Sequence, residues 1–98
     1  MSLFVGILDC SDNIWSVRIP DLGITAHGAS AESVLSQIVH LGNSECRKRI
    51  THRQEIPKPR AAAEIAADPS AGFDPDAGND IVTIAIDVDW RAKASPTK

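Results

Sequence analysis

Aromatic residues are scarce in this chain: it has two tryptophans, two phenylalanines and no tyrosine. None of them lies between Arg47 and Arg60, its most basic stretch, so that stretch offers no face on which bases stack and is a poor reader of single-stranded RNA. Cys10 and Cys46 stand far apart and form no Cys-x-x-Cys unit, so a reducing cytoplasm is the simplest setting. His27, His40 and His52 have no metal-ligand spacing with each other or with the cysteines. No run approaches membrane-spanning length, and the opening MSLFVGILDCSDN lacks the basic start of a signal peptide. No Ser-His-Asp or Cys-His constellation is recognisable. Asp9, Asp87 and Asp89 fall at strand ends and in principle suit Mg²⁺, but without a fixed spacing they read as solvated acids. The expectation is a soluble, cytoplasmic, non-enzymatic protein with no cofactor, no metal and no membrane contact.

What is present suits one small domain. The chain has 98 residues, and a fold of this size buries only about 60–65% of its unfolded surface. Its core is thin, and association with another copy is a natural way to bury more. The net charge of -3 argues against nonspecific binding of nucleic acid by the whole surface. The charges are segregated. Arg47, Lys48, Arg49, His52, Arg53, Lys58 and Arg60 gather in the middle, whereas Asp68, Asp74, Asp76, Asp80, Asp87 and Asp89 crowd the C-terminal part. A positive end and a negative end are expected. For the basic stretch, a solvated helix end is the simpler reading than a phosphate track.

Apolar patterning supplies the elements. Leu3 to Leu8 and Ile14 to Ile19 read as two strands joined by a five-residue turn over Asp9–Asn13, an antiparallel hairpin. Pro20 ends the second strand, Asp21 and Gly23 supply turn chemistry, and Ile24 to His27 form a short third strand. Ser30 is the expected N-cap of a helix from Ala31 to about Ile50, whose Ala31, Val34, Leu35, Ile38, Val39, Leu41 and Cys46 share one side. Gly42 and Asn43 weaken its middle and predict a kink or early fraying. Ala61 to Ala67 is a marginal two-turn helix, residues 68–79 a loop, and Ile81 to Val88 a β-branched strand with apolar residues at both parities in its first half, predicting burial on two faces or a place inside the sheet. The prediction is an α+β fold of β-β-β-α-β order: a two-layer sandwich with a three-stranded antiparallel meander, a returning C-terminal strand and one covering helix. One domain spans 1–90, with a flexible tail over 91–98. The neighbour of the returning strand is left open.

Several short segments resemble, in order, those of the HicB-like antitoxins. Ile19-Pro20-Asp21-Leu22 resembles the family's Pro-Asp-Leu turn, Thr25-Ala26-His27-Gly28 its Thr-x-x-Gly approach to the helix, and Ile56-Pro57-Lys58-Pro59 its Ile-Pro-x-Pro. Glu64-Ile65-Ala66-Ala67-Asp68-Pro69 and Ile84-Ala85-Ile86-Asp87-Val88-Asp89 resemble the segments before and at the end of the last strand. The turn is shorter than usual, since Gly23-Ile24 follows directly where the family carries Pro-Gly-Cys.

The resemblance implies a degraded ribonuclease-H-like sheet that neutralises a HicA-like toxin, a small RNA-cleaving protein, by covering its site. It also implies a homodimer or higher homo-oligomer. Many members continue into a DNA-binding domain; here only Trp90 to Lys98 follow Asp89, so direct DNA binding is not expected. Such a toxin is basic, which makes Asp68, Asp74, Asp76 and Asp80 the candidate partner-binding acids, with Trp90 as a candidate interface anchor. Ile24 and Ala26 of the third strand are the candidate self-association edge. The alternative is an orphan, self-associating domain with no toxin partner.

Overall fold

Two residues make the first turn. In the computed structural model, which describes residues 2–86, β1 (Ser2–Ser11) and β2 (Ile14–Ile19) pair antiparallel from Ile7↔Arg18 to Ser11↔Ile14. Only Asp12 and Asn13 remain between them, at φ of 52° and 66°. Positive φ at both central residues is the mark of a type I′ turn, whose twist matches that of the strands it joins, and Asp and Asn tolerate that conformation best after glycine. The five-residue turn expected over Asp9–Asn13 is therefore shorter. Asp9, Cys10 and Ser11 are turn formers by composition, but the ladder to Ser16, Trp15 and Ile14 holds them extended.

β3 (Ile24–Gly28) follows a turn in which the amides of Leu22 and Gly23 both reach the Ile19 carbonyl, at 3.1 and 2.9 Å. It pairs with β2 from Ile19↔Ile24 to Trp15↔Gly28. β4 (Asp80–Ile86) returns to the other side of β1, from Ser2↔Ile86 to Leu8↔Asp80. The sheet is antiparallel with strand order β3-β2-β1-β4, which settles the neighbour that the sequence left open.

The long helix α1 (Ala31–Thr51) crosses one face, as expected. The Ser30 hydroxyl caps its start by accepting from the Ser33 amide at 3.1 Å, and Glu32 sits in the positive first turn. Its end is a Schellman closure: the amide of Arg53 donates to the Ile50 carbonyl at 3.1 Å and that of Gln54 to Arg49 at 2.7 Å. Arg53 sits there at φ 58°, a position that glycine occupies more easily.

Gly42 causes no break, contrary to expectation. The helix runs through it because its bare backbone lets the end of β4 come close; a β-carbon at Gly42 collides with the Ile86 side chain. The weak propensity of glycine is outweighed by that close packing.

Phe4, Leu8, Val17, Ile19, Ala26, Ile84 and Ile86 turn from the sheet toward Val34, Ile38 and Cys46 of α1, with Leu22 and Ile56 closing the rim. The opposite parity of β1, Val5 and Ile7, is buried as well. It lies under Ile65, Ala71 and Phe73, with Ile81 of β4 beside them. Those covers come from a strap that holds α2 (Ala62–Ala67) and two single 3₁₀ turns, Pro69–Ala71 and Pro75–Ala77. The predicted loop over 68–79 is thus an ordered strap, and the two-faced burial read for β4 belongs to β1 instead: β4 is an edge strand, and on its strap face Ile81 is half-buried while Thr83 and Ala85 are exposed. Leu41, read onto the apolar side of α1, is exposed as well. The predicted α+β sandwich holds, with a smaller second cover on its far face.

Two substitutions test these packing claims. Gly42→Ala should destabilise by about 1–3 kcal/mol despite the gain in helix propensity, and the penalty should shrink in an Ile86→Val background, read from urea midpoints of the four variants. Arg53→Gly should stabilise by up to about 1 kcal/mol, since it relieves the left-handed strain of a side-chain-bearing residue; an unchanged or lower midpoint contradicts the closure described above.

Candidate protein-binding surface

The strap is fastened by two arginines. Asp21, in the turn between β2 and β3, accepts from the Arg60 backbone amide at 2.9 Å and from its Nε at 2.7 Å. The Asp21 side chain is only 6% exposed. Arg60 Nη1 then reaches Asp68 Oδ2 at 2.7 Å, so one guanidinium ties the sheet turn to the end of α2. Arg18, on the strap side of β2, donates from Nη2 to the carbonyls of Ala71 and Gly72, both at 2.8 Å. Gly72 takes a left-handed φ of 73°, and a β-carbon there meets Arg18 Nη2 at 2.8 Å. A third tie lies farther along, where Asn79 Nδ2 donates to Asp9 Oδ1 at 3.0 Å.

These contacts sort the predicted acids. Asp68 is engaged within the chain. Besides Arg60, its Oδ1 accepts from the Ser70 amide at 3.0 Å and hydroxyl at 2.7 Å. The Arg60 guanidinium, seconded by Ser70, holds the Asp68 carboxyl at about 2. Asp74 caps the last 3₁₀ turn through the Asp76 amide at 3.0 Å, and its own amide donates to Asn79 Oδ1 at 3.1 Å. Asp74, Asp76 and Asp80 are all exposed. Because Asp80 opens β4 opposite Leu8 and Asn79 holds Asp9, these acids gather at the sheet end that carries the Asp12-Asn13 turn. Asp68 sits toward the other end, beside the turn that holds Asp21. Trp90 lies outside the described residues, as do Asp87 and Asp89.

The basic residues lie away from that acidic end. α1 starts beside β3, where Gln37 Nε2 donates to the His27 carbonyl at 3.2 Å, and reaches Ile86 at the opposite end of the sheet with Gly42. Arg47 to Arg53 continue beyond. Part of that charge is neutralised locally: Glu45 pairs with Arg49 at 2.7 Å and with Lys48 at 3.3 Å, and the Arg49 hydrogen bond lowers the Glu45 pKa. Arg60, counted with this stretch by sequence, belongs to the strap.

β3 is an edge strand, but Ile24 and Ala26 turn their side chains into the core under α1. What the edge presents is backbone, and Gln37 already occupies one of its carbonyls. Cys10 is exposed; Cys46 is buried in the core, where desolvation pushes its thiol up. Among the described residues, no three His, Cys, Asp or Glu side chains come together to hold a metal, and no helix is long and apolar enough to cross a membrane. The sequence did not single out Arg18 or Asn79, and it read Arg60 only as part of the basic stretch. The one available signal was Arg18, a charge on the outward parity of a strand whose neighbour β1 is apolar on both parities.

No family model matches the sequence, and neither does any curated protein. Solved structures do. The crystal structure of the antitoxin HicB from Burkholderia pseudomallei superposes with a TM-score of 0.70 at 15% identity, over 90% of this chain and 64% of that one. The two share one fold. A chain of a toxin–antitoxin complex from Streptococcus pneumoniae gives a TM-score of 0.67 at 18% identity, over 98% of this chain and 76% of that one. This chain thus spans less than two-thirds of the length of the Burkholderia HicB. At such identities the likeness resides in the arrangement of strands and helix. The resemblance read from Ile19 to Asp89 and the HicB-like fold therefore agree.

The Arg60 tie has an acid signature. The Asp68 pKa lies below its ordinary 3.8, at about 2, so the stability it contributes is fully present above 3.8 and is lost as pH falls toward 2. Urea midpoints of the native chain should therefore fall more steeply across that window than those of Asp68→Asn, and the two should converge below it. Parallel profiles contradict the tie.

Proposed function

We propose that this protein is the antitoxin of a toxin–antitoxin pair and acts by covering a HicA-like, RNA-cleaving toxin. The observation that carries this reading is the match of nearly the whole chain to the HicB fold, in line with the ordered motif resemblance. The mechanism needs no chemistry on this side. A ribonuclease binds RNA through positive surface, and a rigid scaffold that presents carboxylates to that surface competes with phosphate and excludes the substrate. Asp74, Asp76 and Asp80 suit that task because they are exposed and gathered at one end of the sheet. Asp68, which shares Arg60 with Asp21 and sits toward the other end of the sheet, contributes to the scaffold and adds little to the field at the acidic end. Trp90, placed by sequence just after the last strand, is the proposed apolar anchor of the contact.

Co-expression with a HicA-like toxin from the same genome tests this. The expected result is a co-purifying complex and suppressed RNA cleavage. Exchange of Asp74, Asp76 and Asp80 for asparagine should slow association about tenfold or more at low salt, with the gap closing as salt is added, while Asp68→Asn leaves the association rate unchanged. Trp90→Ala should raise Kd by about thirtyfold, the loss of one hot-spot side chain, mainly through faster dissociation. Absence of a complex with undiminished RNA cleavage removes the reading in favour of an orphan domain.

A further inference from the structure

α1 crosses its face of the sheet obliquely. It begins over the end of β3, where a β-carbon on Gly28 would stand 3.1 Å from the side chains of Ser33 and Val34, and it reaches the end of β4 with Gly42 against Ile86. Two corners of the face lie off that diagonal. One, over the ends of β2 and β3, is closed by buried Leu22 of the turn that joins them. The other lies over the ends of β1 and β4 beside the Asp12-Asn13 turn. Four strands about 4.8 Å apart make a face about 19 Å wide, and a helix with its side chains is about 10 Å across, so α1 leaves room there for a second, short helix beside it.

The corner is apolar within and acidic at its border. Opposed residues of a ladder share a face, so Cys10 with Trp15, and Leu8 with Asp80, all lie on the α1 side, as does Val82. At about 100° per residue, Leu35, Val39 and Glu32 fall on the flank of α1 turned away from Ser33 and Gln37, which serve β3. That flank looks over the corner. Leu8 is buried, whereas Trp15, Leu35, Val39 and Val82 are only half-buried and Cys10 is exposed. Glu32, Asp80 and Asp12 are exposed around them. From Ser2 to Cys46 the sole lysine or arginine is Arg18, and its guanidinium is on the opposite face, at the carbonyls of Ala71 and Gly72. The corner belongs to the Asp80 end of β4, about 20 Å along the strand from Ile86.

We propose that this corner seats a short, basic, amphipathic helix of the partner protein, laid beside α1. Its apolar side chains meet Trp15, Leu35, Val39 and Val82, and its lysines or arginines meet Glu32 and Asp80. Leu35 and Val39 stand one turn apart and form the kind of ridge that fits the groove of a neighbouring helix. Charge complementarity names the occupant: a carboxylate border with no cation of its own favours a basic segment over an acidic or neutral one. Asp74 and Asp76 stand at the same end of the sheet, so a partner drawn there by the strap reaches the corner around Asp80. The proposal deepens the antitoxin reading and rests on it. The carboxylates attract and orient the partner, whereas the corner supplies the desolvated contact that slows its release.

Cys10 is a probe already in place, since its thiol is exposed in the corner while Cys46 is buried. The full chain is mixed with the HicA-like toxin from its own genome, the complex is followed by gel filtration, and alkylation of Cys10 by iodoacetamide is timed by mass spectrometry of the peptide that carries it. Cys10 should react at least tenfold more slowly in the complex than in the free chain. Glu32→Lys, a change at an exposed position, should raise Kd about tenfold or more at low salt, with the gap narrowing as salt is added. Val39→Lys should raise it at least as much, with an unchanged far-ultraviolet spectrum; should that variant fail to fold, the other two readouts decide. A complex in which Cys10 reacts at its free rate, or which forms as tightly with Glu32→Lys as with the native chain, overturns the proposal and leaves the antitoxin reading standing. Absence of any complex overturns both.

Discussion

Everything in this fold answers to the burial of β1 on both faces. Phe4 and Leu8 need α1, while Val5 and Ile7 need a second cover, and among the described residues there is no second long helix to supply one. The strap fills that role with few apolar side chains. Ile65 is the sole buried residue of α2, and a six-residue helix has little stability of its own. Polar ties from Arg18, Arg60 and Asn79 therefore do what apolar area alone does not: they fix where the strap lies.

This gives the sequence resemblance a physical meaning. Asp21 of the Pro-Asp-Leu turn holds Arg60, which follows the Ile-Pro-x-Pro segment. Arg60 in turn holds Asp68 of the Asp-Pro segment. Leu22, Ile56 and Ile65, from the same segments, are core residues or packed against the core. Motifs that lie far apart along the chain are thus neighbours that close one structure. They mark a fold. In the proposed reading the partner is chosen by what those motifs leave on the outside, above all the acids near the Asp12-Asn13 turn.

The strands, the Ser30 cap and the reach of α1 were legible because each rests on a local signal: alternation, a hydroxyl before a helical stripe, basic residues at its end. Gly42 was misread because helix propensity says nothing of Ile86 arriving from the other end of the chain. The hairpin turn was misjudged because Asp9, Cys10 and Ser11 look like loop until their partners across the ladder are known. The charge segregation was visible, yet composition does not tell an outward carboxylate from one already held by an arginine. Asp68 and Arg60 were counted as surface charge and prove to be tied to each other, with Asp21 sharing the same guanidinium. The strand neighbour of β4 is a matter of topology, which no local pattern encodes.

The central claim is that this protein works by laying a preformed acidic surface over another protein. Hydrogen exchange of the chain, alone and with a purified HicA-like toxin from its own genome, addresses that claim most directly. The account predicts slowed exchange at residues 74–80 on adding the toxin, while the amides around Arg60 and Asp68 keep their rates. Exchange unchanged throughout, or protection confined to the basic end of α1, contradicts it.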